Sequence, residues 1–325
     1  MTDSSDSHRP RVGVRKHLFR TTALVIALAL CVVFLVPRAG AIADAFARQH
    51  PLTLVGALAC GFAATGLTFL SWRALLAGAG HRLPIASAQR VFFLSQIGKY
   101  VPGSIWPIVA QADLGREHRV PAVRSVAVGL VTLLVSCGAG VCVAAATLPF
   151  VAPNAFGAYW YVLLLVPVVI AALHPAVLAF AMRLASRVTR RDLGTVSLPV
   201  GSIARAFGWA VAAWVGFGAH IALVMAPFVR LDAPTTLLAI GAYALAWLVG
   251  FVVFFLPAGL GGREAALTAL LVGGTTMGAG AAVSVAVTSR VLLTVVDLVF
   301  AGAAIVRRRR HAHEPAAGST VDAPG

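Results

Sequence analysis

Charge is what this chain has least of. Only 11% of its 325 residues are Asp, Glu, Lys or Arg, against about 25% in a soluble domain. That shortage excludes an ordinary soluble globule. Lysine is nearly missing: Lys16 and Lys99 are the only two, and arginine supplies the other cations. With abundant alanine, this bias fits a GC-rich bacterial genome. Cysteine is scarce as well. Cys31, Cys60, Cys137 and Cys142 all lie in apolar runs without a C-x-x-C pair, so they read as small buried apolar residues. Acidic loops are sparse, with Asp113, Glu117, Asp192 and Asp232 standing singly. No D-x-D-type metal pair emerges from them, and no G-x-x-x-x-G-K-[ST] phosphate loop is present. The sequence therefore predicts no resident cofactor, no metal site and no catalytic motif.

What fills the chain is apolar sequence. Hydrophobic residues make up 59%, arranged in runs near the ~20 residues that cross a ~30 Å hydrocarbon core. The runs fall at 18–36, 52–71, 123–149, 158–182, 205–228, 235–256 and 279–306. The first has a competing reading as a cleaved signal peptide, but it exceeds the usual 7–15-residue signal core. An uncleaved span is the expectation. The net charge of +15 would suggest nucleic acid in a soluble protein. Here the arginines flank the apolar runs, as the positive-inside rule requires, so no nucleic acid is expected. With the N-terminus inside, inner segments hold Arg73, Arg82, Arg90, Arg116, Arg119, Arg124 and Arg307 to Arg310, whereas outer loops hold Arg38, Arg48 and Arg230. The fold class that follows is all-α. We expect a polytopic transmembrane bundle of about eight segments with both termini in the cytoplasm. Residues 1–17 and 307–325 form basic tails, and 18–306 the membrane domain.

Two apolar stretches are not straight spans. The first, 88–112, is broken at Gly98-Lys99 and Pro102-Gly103; the second, 257–275, opens Pro257-Ala258-Gly259-Leu260-Gly261-Gly262-Arg263-Glu264. Proline and clustered glycine interrupt the helical ladder. Backbone left open at membrane depth must be buried in protein or line a wet cavity. Paired interruptions also point to internal transporter repeats with a site at their junction. Counting crossings places both breaks on the cytoplasmic side, which suggests a parallel repeat and leaves an inverted one open.

Charged and polar residues at these breaks are the candidate site. Lys99, Ser104 and the free amides after Pro102-Gly103 suit a phosphate, or Lys99 snorkels to the headgroups. Tyr100 and Trp106 read as interfacial anchors. Gly259 and Gly261 allow close backbone approach, and Arg263 offers a fork matched to phosphate. Glu264 either caps the helix it begins or couples to substrate or protons. Arg290 and Asp297 sit seven residues apart on one face of the last span, about 10 Å along the axis. They form either a structural ion network or a site in which Asp297 orients an anion-binding Arg290. His174 and His220 lack a second ligand at metal spacing and read as packing residues.

The segments Gln96-Ile97-Gly98-Lys99-Tyr100-Val101-Pro102-Gly103-Ser104-Ile105-Trp106-Pro107 and Pro257 to Glu264 resemble the lysylphosphatidylglycerol synthase transmembrane-region family, also described as flippase-like. The resemblance covers roughly residues 15–306. It implies a polytopic fold around a lipid path. In two-domain members this region moves an aminoacylated phospholipid between leaflets while a separate domain makes that lipid. Too few residues follow Arg310 for such a synthase domain, so no aminoacylation is expected. Carried over by position, the site is Lys99, Pro102, Gly103, Ser104, Pro257, Gly259, Gly261, Arg263 and Glu264; the residues themselves add Arg290 and Asp297.

The leading expectation is a lipid translocase of a bacterial plasma membrane. It would move an anionic or aminoacylated phospholipid, or a polyprenyl-linked lipid, and is not an enzyme. A membrane glycosyltransferase, an accessory subunit beside envelope lipid or glycan synthases, and a small-solute transporter are the alternatives. Membrane lipids are the expected partners.

Overall fold

The computed structural model describes residues 49–100, 106–151, 163–174, 198–252 and 261–312, with isolated positions elsewhere. Among these the regular structure is entirely helical: α1 (Pro51–Gly78), α2 (Ile85–Gln96) continued by a 3₁₀ turn (Ile97–Tyr100), α3 (Trp106–Arg116), α4 (Ala122–Thr147), α5 (Leu165–Leu173), α6 (Val200–Met225), α7 (Ala233–Val252), α8 (Gly262–Gly274) and α9 (Ala279–Ala312). The expected span at 18–36, the tail at 1–17 and the two ends of the expected span 158–182 lie largely outside the described residues. Cys31, Pro102, Gly103, Ser104, Pro257 and Gly259 lie outside them too.

Five helices, α1, α4, α6, α7 and α9, are long and apolar enough to cross a membrane. Their starts follow from proline. Pro51 occupies the first turn of α1, and Pro84, Pro121 and Pro199 directly precede α2, α4 and α6 with extended ψ of 147°, 135° and 140°. Proline lacks the N–H that a first turn leaves unpaired, so it starts a helix without loss. By contrast α2, α3 and α8 have only 12, 11 and 13 residues. At 1.5 Å per residue they reach about 16–20 Å, too short to cross alone.

Side-chain contacts fix how these pieces run. His81, just after α1, lies 3.2 Å from Arg124 at the start of α4, and Arg90 of α2 pairs with Glu117 after α3 at 2.9 Å. The α2–α3 hairpin therefore enters and leaves at one end of the bundle, the arginine-rich end. Gln49, at the head of α1, donates to the Val224 carbonyl at 2.8 Å, so α1 and α6 are antiparallel. Gly250 of α7 meets Arg263 of α8, and Gly274 meets Leu238. The α7–α8 hairpin thus opens at the opposite end.

This distinguishes the two repeat arrangements left open by the sequence. The described arms on either side of each break form a hairpin, and the two hairpins open at opposite ends of the bundle, an inverted arrangement. Two smaller differences concern composition. Cys60, Cys137 and Cys142 are only half-buried, as the lipid-facing side of a membrane helix permits. The last helix continues through Arg307 to Ala312, past the expected bundle edge at 306.

Aromatic packing anchors the first hairpin. Phe92 and Phe93 of α2 are buried against Phe69 and Trp72 of α1, and Phe93 stacks on Phe300 of α9 with ring centroids 4.2 Å apart. His220 fastens α6 to its neighbours. Fully buried, it lies 2.8 Å from the Ala57 carbonyl through Nδ1 and 3.0 Å from Ser289 Oγ through Nε2. It is a packing histidine linking α1, α6 and α9. His174 is exposed, and its Nδ1 accepts the Ala176 amide at 3.3 Å.

Candidate functional site

The tips of the two hairpins meet on α9. Gly98 makes the first tip possible: a Cβ there would stand 2.9 Å from the Trp106 carbonyl carbon, so only glycine lets the two arms close. The turn then presents Lys99 and Tyr100 to α9. Lys99 Nζ lies 2.5 Å from Asp297 Oδ2, and the Tyr100 hydroxyl donates to the same oxygen at 2.7 Å. Lys99 does not snorkel toward the arginine-rich end. Asp297 is the desolvated member, with 6% of its side chain exposed against 36% for Lys99, so the ammonium keeps access to open space. Tyr100 is corrected from interfacial anchor to site residue.

The second tip supplies Arg263 and Glu264. Glu264 divides its carboxylate. Oε2 accepts the Gly261 amide at 2.7 Å, closing the first turn of α8, and Oε1 takes Arg290 Nη1 at 2.6 Å. The capping reading of Glu264 is thus realised, and the same carboxylate also pairs with Arg290. Seven residues along α9, the two ions face different partners: Arg290 answers Glu264, and Asp297 answers Lys99. The two inter-helix pairs match the reading of Arg290 and Asp297 as a structural ion network, each hairpin bringing one countercharge to α9.

Arg263 is different. Its guanidinium lies over the Tyr243 ring, 4.6 Å from the centroid, and donates to the Tyr243 hydroxyl at 2.5 Å. Among the described residues no carboxylate lies within ion-pair distance of it. Lys99, Arg263, Arg290 and Asp297 all line one cavity of about 280 Å³. Together with Glu264 behind Arg290, the cluster holds three cations and two carboxylates, an excess of one positive charge. Depth follows from α9: Arg290 is about 16 Å from the helix start at Ala279 and about 25 Å from Arg307. The cluster lies near the middle of the candidate span Ala279–Val306.

The family model of the lysylphosphatidylglycerol synthase TM region matches residues 21–301. The chain belongs to this family. No curated protein matches it significantly. Membership makes the chain an integral membrane protein of lipid-related processes, in agreement with the five spans.

Several lining residues escaped the sequence reading. Tyr243, Gln111 and Trp214 all face the cavity. Tyr243 and Gln111 were visible as polar groups within apolar runs, a signal that marks function at membrane depth. Trp214 offered no signal that separates it from packing. Pro102, Gly103, Ser104, Pro257 and Gly259 fall outside the described residues. Gly261 is placed at the N-terminus of α8 with φ +85°, a conformation that suits glycine.

Proposed function

We propose that this protein is a lipid translocase that passes an anionic headgroup between leaflets through the cavity where its two hairpins meet. One observation carries the reading: an intramembrane cluster with one cation in excess, Arg263, which has an aromatic partner and no carboxylate among the described residues. A charge at the bilayer centre costs about 2.5–3.5 kcal/mol on insertion scales, so one left without a countercharge calls for an anion. The cavity's 280 Å³ is at the small end of ligand cavities, roughly 300–1,000 Å³. A headgroup fits and the acyl chains remain in the bilayer. Glycine and alanine along the spans suit the close helix contacts on which such a bundle rests.

In this reading the chain performs no covalent step, its partners are membrane lipids and envelope-synthesis enzymes, and it resides in a bacterial plasma membrane. The arginine-rich end faces the cytoplasm by the positive-inside rule, which puts both termini there. The test is a proteoliposome assay with acyl-labelled phosphatidylglycerol and reductant quenching of the outer leaflet. Folded protein should accelerate exchange, and Arg263→Gln should slow it at least about tenfold, equivalent to 1.4 kcal/mol. No protein-dependent movement of any anionic lipid would defeat the proposal.

A further inference from the structure

The cavity is divided by charge, and its second half has its own chemistry. All the ions come from the 3₁₀ turn after α2, from α8 and from α9. The wall contributed by α1, α3, α4 and α6 carries no charged residue. It presents Thr65, Thr68, Gln111, Thr132 and Ser136 beside Trp214. The hydroxyls of Thr68 and Thr132 donate to their own helices, to Ala64 O at 3.0 Å and Val128 O at 2.7 Å, which leaves their oxygens as acceptors. Trp214 has already given its N–H to the Ser136 carbonyl at 2.9 Å.

Gln111 is the residue that lacks an answer. It is 4% exposed, and its Oε1 is buried with no hydrogen-bond partner among the described residues. Across from it Gly129 contributes no side chain; a Cβ there would lie 3.3 Å from Gln111 Oε1. A buried carboxamide with unmet hydrogen-bonding capacity in the wall of a cavity needs a ligand or water to satisfy it. Acceptor oxygens from two threonines and a carboxamide call for several O–H donors together. The cation excess at the other end calls for one negative charge.

Resting on the translocase reading above, we infer that the substrate is a phosphodiester lipid whose headgroup is an uncharged polyol. The phosphate sits by Lys99 and Arg263, and a headgroup hydroxyl donates to Gln111. A phosphodiester carries one negative charge and matches the site's excess of one. An aminoacylated headgroup bearing two ammonium groups would add net positive charge to a cluster that already has a surplus. It would also offer ammonium groups to a wall with no anion to receive them.

The experiment uses the full chain in detergent, monitored by intrinsic tryptophan fluorescence. It is titrated with short-chain phosphatidylinositol, phosphatidylglycerol, phosphatidic acid and lysylphosphatidylglycerol, and with deacylated glycerophosphoinositol. The inositol and glycerol lipids should bind roughly tenfold more tightly than phosphatidic acid, the equivalent of one well-made hydrogen bond. Gln111→Leu should erase that preference, bringing the polyol lipids down to the affinity of phosphatidic acid. Should the variant fail to fold, the wild-type ranking decides alone. Phosphatidic acid binding as tightly as the polyol lipids, or lysylphosphatidylglycerol binding tightest, would overturn the polyol assignment and leave anion transport standing. Glycerophosphoinositol binding as tightly as its parent lipid would assign the site to a soluble phosphate ester and overturn the lipid. No binding of any anionic lipid to folded protein would overturn both this inference and the translocase reading.

Discussion

Removing the Glu264 carboxylate tests whether the second hairpin is held to α9 by charge. Glu264 and Arg290 keep only 12% and 11% of their side-chain surface exposed, so water screens the pair weakly. Glu264→Ala strands the Arg290 guanidinium from this carboxylate and uncaps the Gly261 amide. Breaking one side of a buried pair costs about 3–5 kcal/mol, and Arg290 lines a polar cavity, so the low end, about 3 kcal/mol, applies. Arg290→Met should cost less, because Glu264 retains the amide at 2.7 Å. The double variant should then be more stable than the sum of the singles predicts by about 2 kcal/mol, a coupling typical of residues in direct contact. Unfolding free energies from SDS titration in mixed micelles, with size-exclusion profiles as the control, read these values. Strictly additive single effects would refute the inter-helix pair, and with it the placing of the second hairpin tip against α9.

Further outcomes follow from the same geometry. Asp297→Asn removes the countercharge of Lys99 and raises the cation excess, so lipid exchange should slow while binding of phosphatidylglycerol in the fluorescence titration tightens. Gly98→Ala pushes a methyl to within 2.9 Å of the Trp106 backbone and should destabilise by about 1–3 kcal/mol, as overpacking does, in the same SDS titration. His220→Ala leaves a cavity and orphans Ala57 O and Ser289 Oγ; about 2–4 kcal/mol of stability should go, with lipid selectivity unchanged when measured below the new unfolding midpoint. His81 titrates below its ordinary value of 6.5, first through burial and then through the charge of Arg124. The folded form therefore binds fewer protons than the unfolded one, so stability falls as the pH drops below about 6.5, and His81→Gln should flatten that slope.

The sequence made the bundle readable because hydropathy is a local property. The spans expected at 52–71, 123–149, 205–228 and 235–256 correspond to α1, α4, α6 and α7 with ends shifted by a few residues. Broken segments were equally plain, since proline and clustered glycine act on their own hydrogen bonds. Pairing was not legible. Asp297 lies on the same face of its helix as Arg290, and that spacing suggested a relation between them. Their partners, Lys99 and Glu264, arrive from hairpins that enter at opposite faces, a relation no local pattern encodes. Tyr100 beside a membrane break reads as an interfacial anchor until the turn at Gly98 aims it at Asp297.

The number that matters in this site is the difference between its charges. Two carboxylates alone would have matched two cations, leaving a neutral network whose role is to hold helices together. The third cation changes that balance. Two unit charges about 4 Å apart at an effective dielectric of about 20 attract by about 4 kcal/mol. That is comparable to the ~2.5–3.5 kcal/mol cost of a central arginine, so an anion beside Arg263 can offset its burial. A second uncompensated cation would roughly double the attraction and slow release, which a carrier cannot tolerate. In the translocase proposed above, Asp297 and Glu264 would serve transport as well as packing: each cancels one cation, and together they would keep the site's hold on its cargo within a range from which the cargo can still leave.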